Sequence, residues 1–185
     1  MELLIVIFLI GALSGMLYAS FNGIINGFLG LHKESINFNQ LAGKSQRIGS
    51  VIRSATDIVS ATKDDLVLYA YFFPADTYVS KVHYYKNTAN NKLFVDVTRM
   101  TANPPSGTPI DSTLTTYTLL DPYYEAQSTK LFTYLDASGT ILTPPISDLH
   151  TIKGVTISLS VPTRQTSVGQ TLSLTVSLRN RKTNL

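Results

Sequence analysis

Met1-Glu2-Leu3-Leu4-Ile5-Val6-Ile7-Phe8-Leu9-Ile10 opens a run that continues through Leu31 without another Asp, Glu, Lys or Arg, the next charge being Lys33. At 1.5 Å per residue roughly 20 residues cross the hydrocarbon core of a bilayer, so Leu3 to about Leu31 can span it and extend beyond. A solvent-facing surface helix is not built this way. Glu2 is the anomaly, because a carboxylate at bilayer depth costs about 2.5–3.5 kcal/mol on insertion scales and is expected to have a task or a partner. The residue alone leaves two readings open: a first-turn acid at the interface favoured by the helix dipole, or one half of an ion pair inside an apolar bundle.

Outward from this run the pattern changes twice. Between about Lys33 and Ala61 it becomes amphipathic, with Ile48, Val51, Ile52, Ala55, Ile58 and Val59 near i, i+3, i+4, i+7, i+10 and i+11. One helix of roughly 55–60 residues accommodates both halves, with an apolar stripe laid on a sheet and Lys44, Arg47 and Arg53 nearer water. Gly11, Gly15, Gly23, Gly27 and Gly30 interrupt the apolar half. The Gly11/Gly15 and Gly23/Gly27 spacings suit close helix packing, while glycine is also simply commoner in membrane helices, and both explanations stand. Each interior glycine costs ~1 kcal/mol relative to alanine, which makes Gly23, Gly27 and Gly30 the expected place for the helix to loosen.

After Lys63-Asp64-Asp65, read as a helix-to-strand junction, the period becomes two. Strands are expected over Leu66–Phe73, Tyr78–Tyr85 and Leu93–Met100, the last two joined through Asn87-Thr88-Ala89-Asn90-Asn91. Met100–Asp111, with Pro104, Pro105, Gly107 and Pro109, reads as a loop, and Thr113–Leu120 as a further strand. Leu131–Leu142 reads as a hairpin turning at Asp136-Ala137-Ser138-Gly139. The clearest alternation sets Val155, Ile157, Leu159 and Val161 against Thr156, Ser158 and Ser160, answered by Leu172, Leu174, Val176 and Leu178 against Ser173, Thr175 and Ser177. These predict a closing hairpin with an exposed Ser/Thr face, its loop being Thr163–Thr171.

The chain has 185 residues and no cysteine, so disulfides, zinc–cysteine sites and thiol nucleophiles are excluded. Two parts are expected: 1–32 as a hydrophobic helix, and 33–185 as a head large enough to bury its own core. A net charge of +3 is too weak a bias to indicate nucleic acid by itself. His32, His83 and His150 are scattered, and no stretch has the alternating acids of a calcium loop, so no metal and no cofactor are expected. Motifs of nucleophilic, metallopeptidase or phosphate-binding chemistry are missing, and an enzyme is not expected. The ten tyrosines, among them Tyr69, Tyr71, Tyr84, Tyr85, Tyr117, Tyr123, Tyr124 and Tyr134, are read as strand residues before they are read as a stacking surface for glycans or bases. Arg179, Arg181 and Lys182, with Lys130, Lys153 and Arg164, form a candidate basic contact patch for DNA phosphates, set against the plainer reading of a solvated tail.

Glu2-Leu3-Leu4-Ile5-Val6-Ile7-Phe8-Leu9-Ile10-Gly11-Ala12-Leu13 resembles the N-terminal segment of the type IV pilin superfamily, which includes pilus subunits and the pseudopilins of type II secretion and competence. Further on, Phe132–Gly139, Ile152–Leu159 and Val176–Asn180 look like the C-terminal half of minor pilins and of the minor pseudopilin J. The resemblance implies an α+β, pilin-like fold: one long N-terminal helix, apolar then amphipathic, packed on an antiparallel sheet. It implies filament assembly through Glu2, Leu3, Leu4, Ile5, Val6, Ile7, Phe8, Leu9, Ile10, Gly11 and Gly15, with the Glu2 carboxylate meeting the N-terminal amine of an adjacent subunit. Implied partners are other pilin subunits, an assembly platform protein, an assembly ATPase, a leader peptidase and, before assembly, membrane lipid. The implied location is the cytoplasmic membrane and then a cell-surface filament. Members carry a basic leader and a methylated N-terminal residue; here Met1 directly precedes Glu2, and the expectation is a chain that begins inside the mature protein. Unlike many members it has no proline in the apolar half and no C-terminal disulfide loop. Two other functions compete, a tip subunit acting as adhesin or DNA receptor and an unrelated single-pass membrane protein with a β-rich ectodomain.

Overall fold

The computed structural model describes residues 2–121, 123, 130–161 and 170–179, with the backbone alone described at Lys33, Glu34, Asn37, Val161 and Gln170. Its fold is α+β. A single helix, α1, runs Glu2–Arg53, and the chain divides into two compact units, Met1–Asn39 and Gln40–Leu185. That division lies beyond the compositional boundary at 32/33, and Leu41 is the first buried residue of the helix among those described.

The first unit is helix alone. In the second, the last turns of α1 are followed by β1 (Asp57–Ala61), β2 (Asp65–Ala70), β3 (Ser80–Asn87), β4 (Lys92–Arg99) and β5 (Thr115–Leu120). These form one antiparallel sheet in the order β1-β2-β3-β4-β5. A second sheet has the order β7-β6-β8-β9, built from β6 (Phe132–Leu135), β7 (Ile141–Leu142), β8 (Gly154–Val161) and β9 (Gln170–Ser177). Two sheets therefore stand where alternation predicted one, since period two reports which side of a strand is buried and carries nothing about which strands pair.

The helix ends earlier than the amphipathic pattern predicts. Ile58 and Val59 fit its stripe by spacing, yet they lie in β1, with Ile58 buried and Val59 exposed. Local competition explains the stop. The Ser54 hydroxyl donates to the Val51 carbonyl at 2.8 Å, Ala55 N–H tightens onto Ile52, and both the amide and hydroxyl of Thr56 donate to the Tyr69 carbonyl. Once Thr56 is held there, Asp57 and Ile58 fall into register with Tyr69 and Leu68. Residues 62–64 are accordingly the turn of the β1–β2 hairpin and Asp65 opens β2, so the reading of Asp64-Asp65 as a helix-to-strand junction is corrected.

Leu41, Ile48, Val51 and Ile52 of α1 share one buried cluster with Leu66 and Leu68, Val82 and Tyr84, Val95 and Val97 of the first sheet and Phe132, Val155, Ile157 and Val176 of the second. At Gly49 an added Cβ would come within 2.8 Å of Leu174 Cδ2 and 3.1 Å of Val176 Cγ2, so β9 reaches α1 at that position. Expected turns are present: Asn91, at φ 50°, completes the β3–β4 connection, and Gly139, at φ 85°, completes the β6–β7 turn. Asp136 Oδ1 accepts from the amides of Ser138 and Thr140 and from the Ser138 hydroxyl, and these bonds hold its carboxyl below the usual carboxylate range.

One side chain fastens the second sheet to the first hairpin. The Tyr134 hydroxyl donates to the Thr62 carbonyl at 2.7 Å, and nearby Phe132 N–H donates to the Lys63 carbonyl. Burial, reinforced by the Asp65 and Asp64 carboxylates, pushes the Tyr134 phenol far above its ordinary value. Burial does the same to Tyr84, with Arg47 opposing. Both phenols are neutral in the folded chain, whereas tyrosines of an unfolded chain ionise near about pH 10. Their contribution is complete below that pH and is lost as pH rises through the raised folded values. Tyr134→Phe is expected to cost about 1 kcal/mol at neutral pH. Urea midpoints should fall above about pH 10 in the wild type, and less so in the Tyr84→Phe/Tyr134→Phe double variant. A midpoint that falls equally in both would assign the alkaline loss to other groups.

Candidate membrane and assembly segment

Glu2 occupies the first turn of α1, where the unpaired amides of a helix start favour a negative charge. Beyond it, residues Glu2–His32 are long and apolar enough to cross a membrane, about 46 Å of helix against a hydrocarbon core of about 30 Å. The side chains that would lie in lipid are turned outward. Leu3 is 74% and Phe8 76% exposed, whereas Ile52 of the same helix is fully buried. Leu4, Ile5, Val6, Ile7, Leu9 and Ile10 are likewise exposed.

The glycines fall into a pattern that the separate pairs had not disclosed. Gly11, Gly15, Ala19, Gly23 and Gly27 recur every four residues, so in an α-helix they form one stripe drifting by roughly 40° per step. Asn22 and Asn26 border it on one flank and Ile24 and Phe28 on the other, while Leu13, Leu17, Phe21, Ile25 and Leu29 occupy the opposite side by the same register. A Cβ added at Gly11, Gly15, Gly23, Gly27 or Gly30 would meet no atom within 4 Å. No contact in the described structure therefore requires glycine at these positions. The helix also runs unbroken through Gly23, Gly27 and Gly30, the positions expected to loosen. Ala19 was the missed member, and the four-residue spacing was the signal that could have found it.

The remaining candidate residues do not converge. His32 stacks on Phe28 with centroids 6.2 Å apart, His83 Nε2 lies 2.7 Å from Asp65 Oδ2, and the His150 amide donates to Asp148. Among the described residues no three His, Cys, Asp or Glu side chains gather as a metal site. The tyrosines disperse as well. Tyr84, Tyr123 and Tyr134 are buried, Tyr69 and Tyr85 half-buried, and Tyr71, Tyr78 and Tyr117 exposed, while Tyr124 lies outside the described residues. Tyr117 stacks on Phe72, over which the Arg47 guanidinium sits 5.1 Å from the ring centroid, its Nη2 donating to the Phe72 carbonyl. Arg47 is thus a brace between α1 and the segment after β2. Of the basic patch, Arg179 is exposed at the end of β9, and Arg164, Arg181 and Lys182 lie outside the described residues.

Neither any protein-family model nor any curated protein matches the chain.

Proposed function

We propose that this chain is a structural subunit of a type IV pilus-like or pseudopilus-like filament, held in the cytoplasmic membrane by its apolar helix before assembly and drawn into a cell-surface filament afterwards. The observation that carries the reading is the segment Glu2–His32: a membrane-length helix with exposed large apolar side chains, a lone acid in its first turn and a stripe of small residues at four-residue spacing. In lipid such a helix has no hydrophobic reason to associate, and close packing at small residues together with polar pairing supplies one. Exchanging lipid contacts for neighbouring helices then costs little and gains both. The resemblance supplies the partners: other pilin subunits, a platform protein, an assembly ATPase and a leader peptidase. Subcellular fractionation with antibody against the head tests the proposal directly. The protein should be found in the inner-membrane fraction and in filaments sheared from the cell surface; a protein confined to the membrane under conditions where filaments are made overturns it.

A further inference from the structure

Charge is spread unevenly along this chain and across its head. Fifteen Lys and Arg stand against twelve Asp and Glu, and three of the fifteen are Arg179, Arg181 and Lys182, so the remainder is formally neutral at twelve against twelve. The whole net charge of +3 therefore sits in one short segment after β9. Its complement is on the first sheet. Leu66 and Leu68, Val82 and Tyr84, Val95 and Val97 turn into the core, so their alternate neighbours on β2, β3 and β4 turn away from it. By the same register the outward face of β1–β4 carries Asp57, Asp65 and Asp96 against Lys81 and Lys92, and Lys92 is itself held by Asp121 at 2.6 Å.

Aromatic rings lie among these acids. Tyr85 and Phe94 are directly opposed across β3 and β4 and stack with centroids 5.7 Å apart, and the His83 ring lies 4.7 Å from Tyr85. All three are half-buried, with part of each ring open to solvent. His83 Nε2 stands 2.7 Å from Asp65 Oδ2, while Asp96 accepts from the Thr116 hydroxyl at 2.6 Å and is hydrogen-bonded by Tyr85. Both carboxylates are thus held beside rings before any partner arrives, which lowers the ordering cost of binding. A carboxylate next to a ring suits a guanidinium above other cations, because that group is planar, forks onto the acid and stacks on the ring. The chain makes the stacking half of this contact once already, with Arg47 over Phe72.

We infer that the segment Arg179–Lys182 of one copy docks on the outward face of β2–β4 in a second copy, its basic side chains against Asp65, Asp96 and the Tyr85–Phe94 pair. The inference rests on the filament reading only in that copies must be gathered for the contact to form. Reach assigns the segment to a second copy rather than to its own head. Leu178, buried in the shared core, donates its N–H to the Lys153 carbonyl, close to Leu149–Thr151, which abuts β1, so the segment leaves the head on the core side near the β1 edge. From Leu178 to Lys182 the chain extends at most about 14 Å. Asp96 lies three strands in from that edge, again about 14 Å at roughly 4.8 Å per strand, and on the far side of the sheet. Rounding the edge exhausts the reach before Asp96 is met. The contact joins two unlike surfaces, so copies related by a shift along one axis keep their arms parallel, and the contact repeats from copy to copy without closing.

Cysteine is absent, so a single introduced thiol can carry a probe. Full-length Thr183→Cys chains bearing a benzophenone maleimide are mixed in detergent micelles with an excess of isotope-labelled, cysteine-free chains and irradiated. Cross-links should fall on labelled peptides from β2, β3 and β4. Their yield should drop at least about tenfold at high salt, where screening confines exposed charges to a few ångströms, and equally when the labelled chains carry Asp65→Asn/Asp96→Asn. The same drop is expected from Arg181→Gln/Lys182→Gln on the probe-bearing chain, which leaves the labelled head untouched and so guards against a face variant that fails to fold. Cross-links confined to the probe's own chain overturn the assignment to a second copy. Labelled cross-links that ignore both salt and the charge substitutions overturn the docking chemistry. Labelled cross-links missing from micelles and from wild-type filaments alike overturn the contact and leave the filament reading standing.

Discussion

Cells that build filaments from this protein should retain a Glu2→Gln variant in the membrane while its recovery in sheared filaments drops at least about a hundredfold. The size of the effect follows from what is left behind. In an apolar bundle the carboxylate and the amine of an adjacent subunit, the partner that the resemblance implies, each offset the other's desolvation, and removing one strands the other at about 3–5 kcal/mol. Membrane insertion should be unharmed, since the substitution lowers the cost of placing this turn in lipid. Glu2→Asp keeps the charge on a side chain one methylene shorter and should recover part of the incorporation. Wild-type recovery of Glu2→Gln in filaments would return Glu2 to the interfacial, dipole-favoured reading.

The features that were legible in the sequence are those in which local chemistry and packing agree. The apolar arm, the β3–β4 turn at Asn87–Asn91, the β6–β7 turn at Asp136–Gly139 and the antiparallel pairing of β8 with β9 appear as the residues predict, while β9 starts at Gln170, inside the loop expected over Thr163–Thr171, the rest of which lies outside the described residues. Asparagine and glycine stand at the two positive-φ positions among the described residues, and apolar residues alternate on the two closing strands. What could not be read was decided at a distance. Ile58 satisfies helical spacing from Ile48 and Val51, and only the capture of Thr56 by Tyr69, thirteen residues on, makes it a strand residue. The attachment of the second sheet to the first hairpin runs through Tyr134 reaching Thr62 across seventy-two positions, which no period records. In the assembly segment the glycines were visible individually. Their common stripe was hidden because Ala19 lacks the conspicuous chemistry of a glycine, although it serves the same geometry.

The point at which the arm ceases to matter for folding is set by burial, and the strongest consequence concerns the head. Deleting residues 1–39 should leave a soluble fragment that unfolds cooperatively, with a melting temperature within a few degrees of the full-length head, because no described side chain among those residues is buried. Continuing the deletion through Arg53 should abolish folding. It removes Leu41, Ile48, Val51 and Ile52, which are 3% exposed or less and lie among the apolar residues of both sheets. Burial of each such side chain contributes about 1.5–3 kcal/mol, so four of them contribute roughly 6–12 kcal/mol, comparable to the 5–15 kcal/mol that keeps a typical domain folded. The deletion also takes away Arg47, which braces Phe72. Thermal unfolding followed by circular dichroism, with near-ultraviolet tyrosine signals as the gauge of fixed packing, distinguishes the two fragments. If the fragment beginning after Arg53 melted cooperatively, the final turns of α1 would be an accessory to the sheets, and the division of labour along this helix would have to be redrawn.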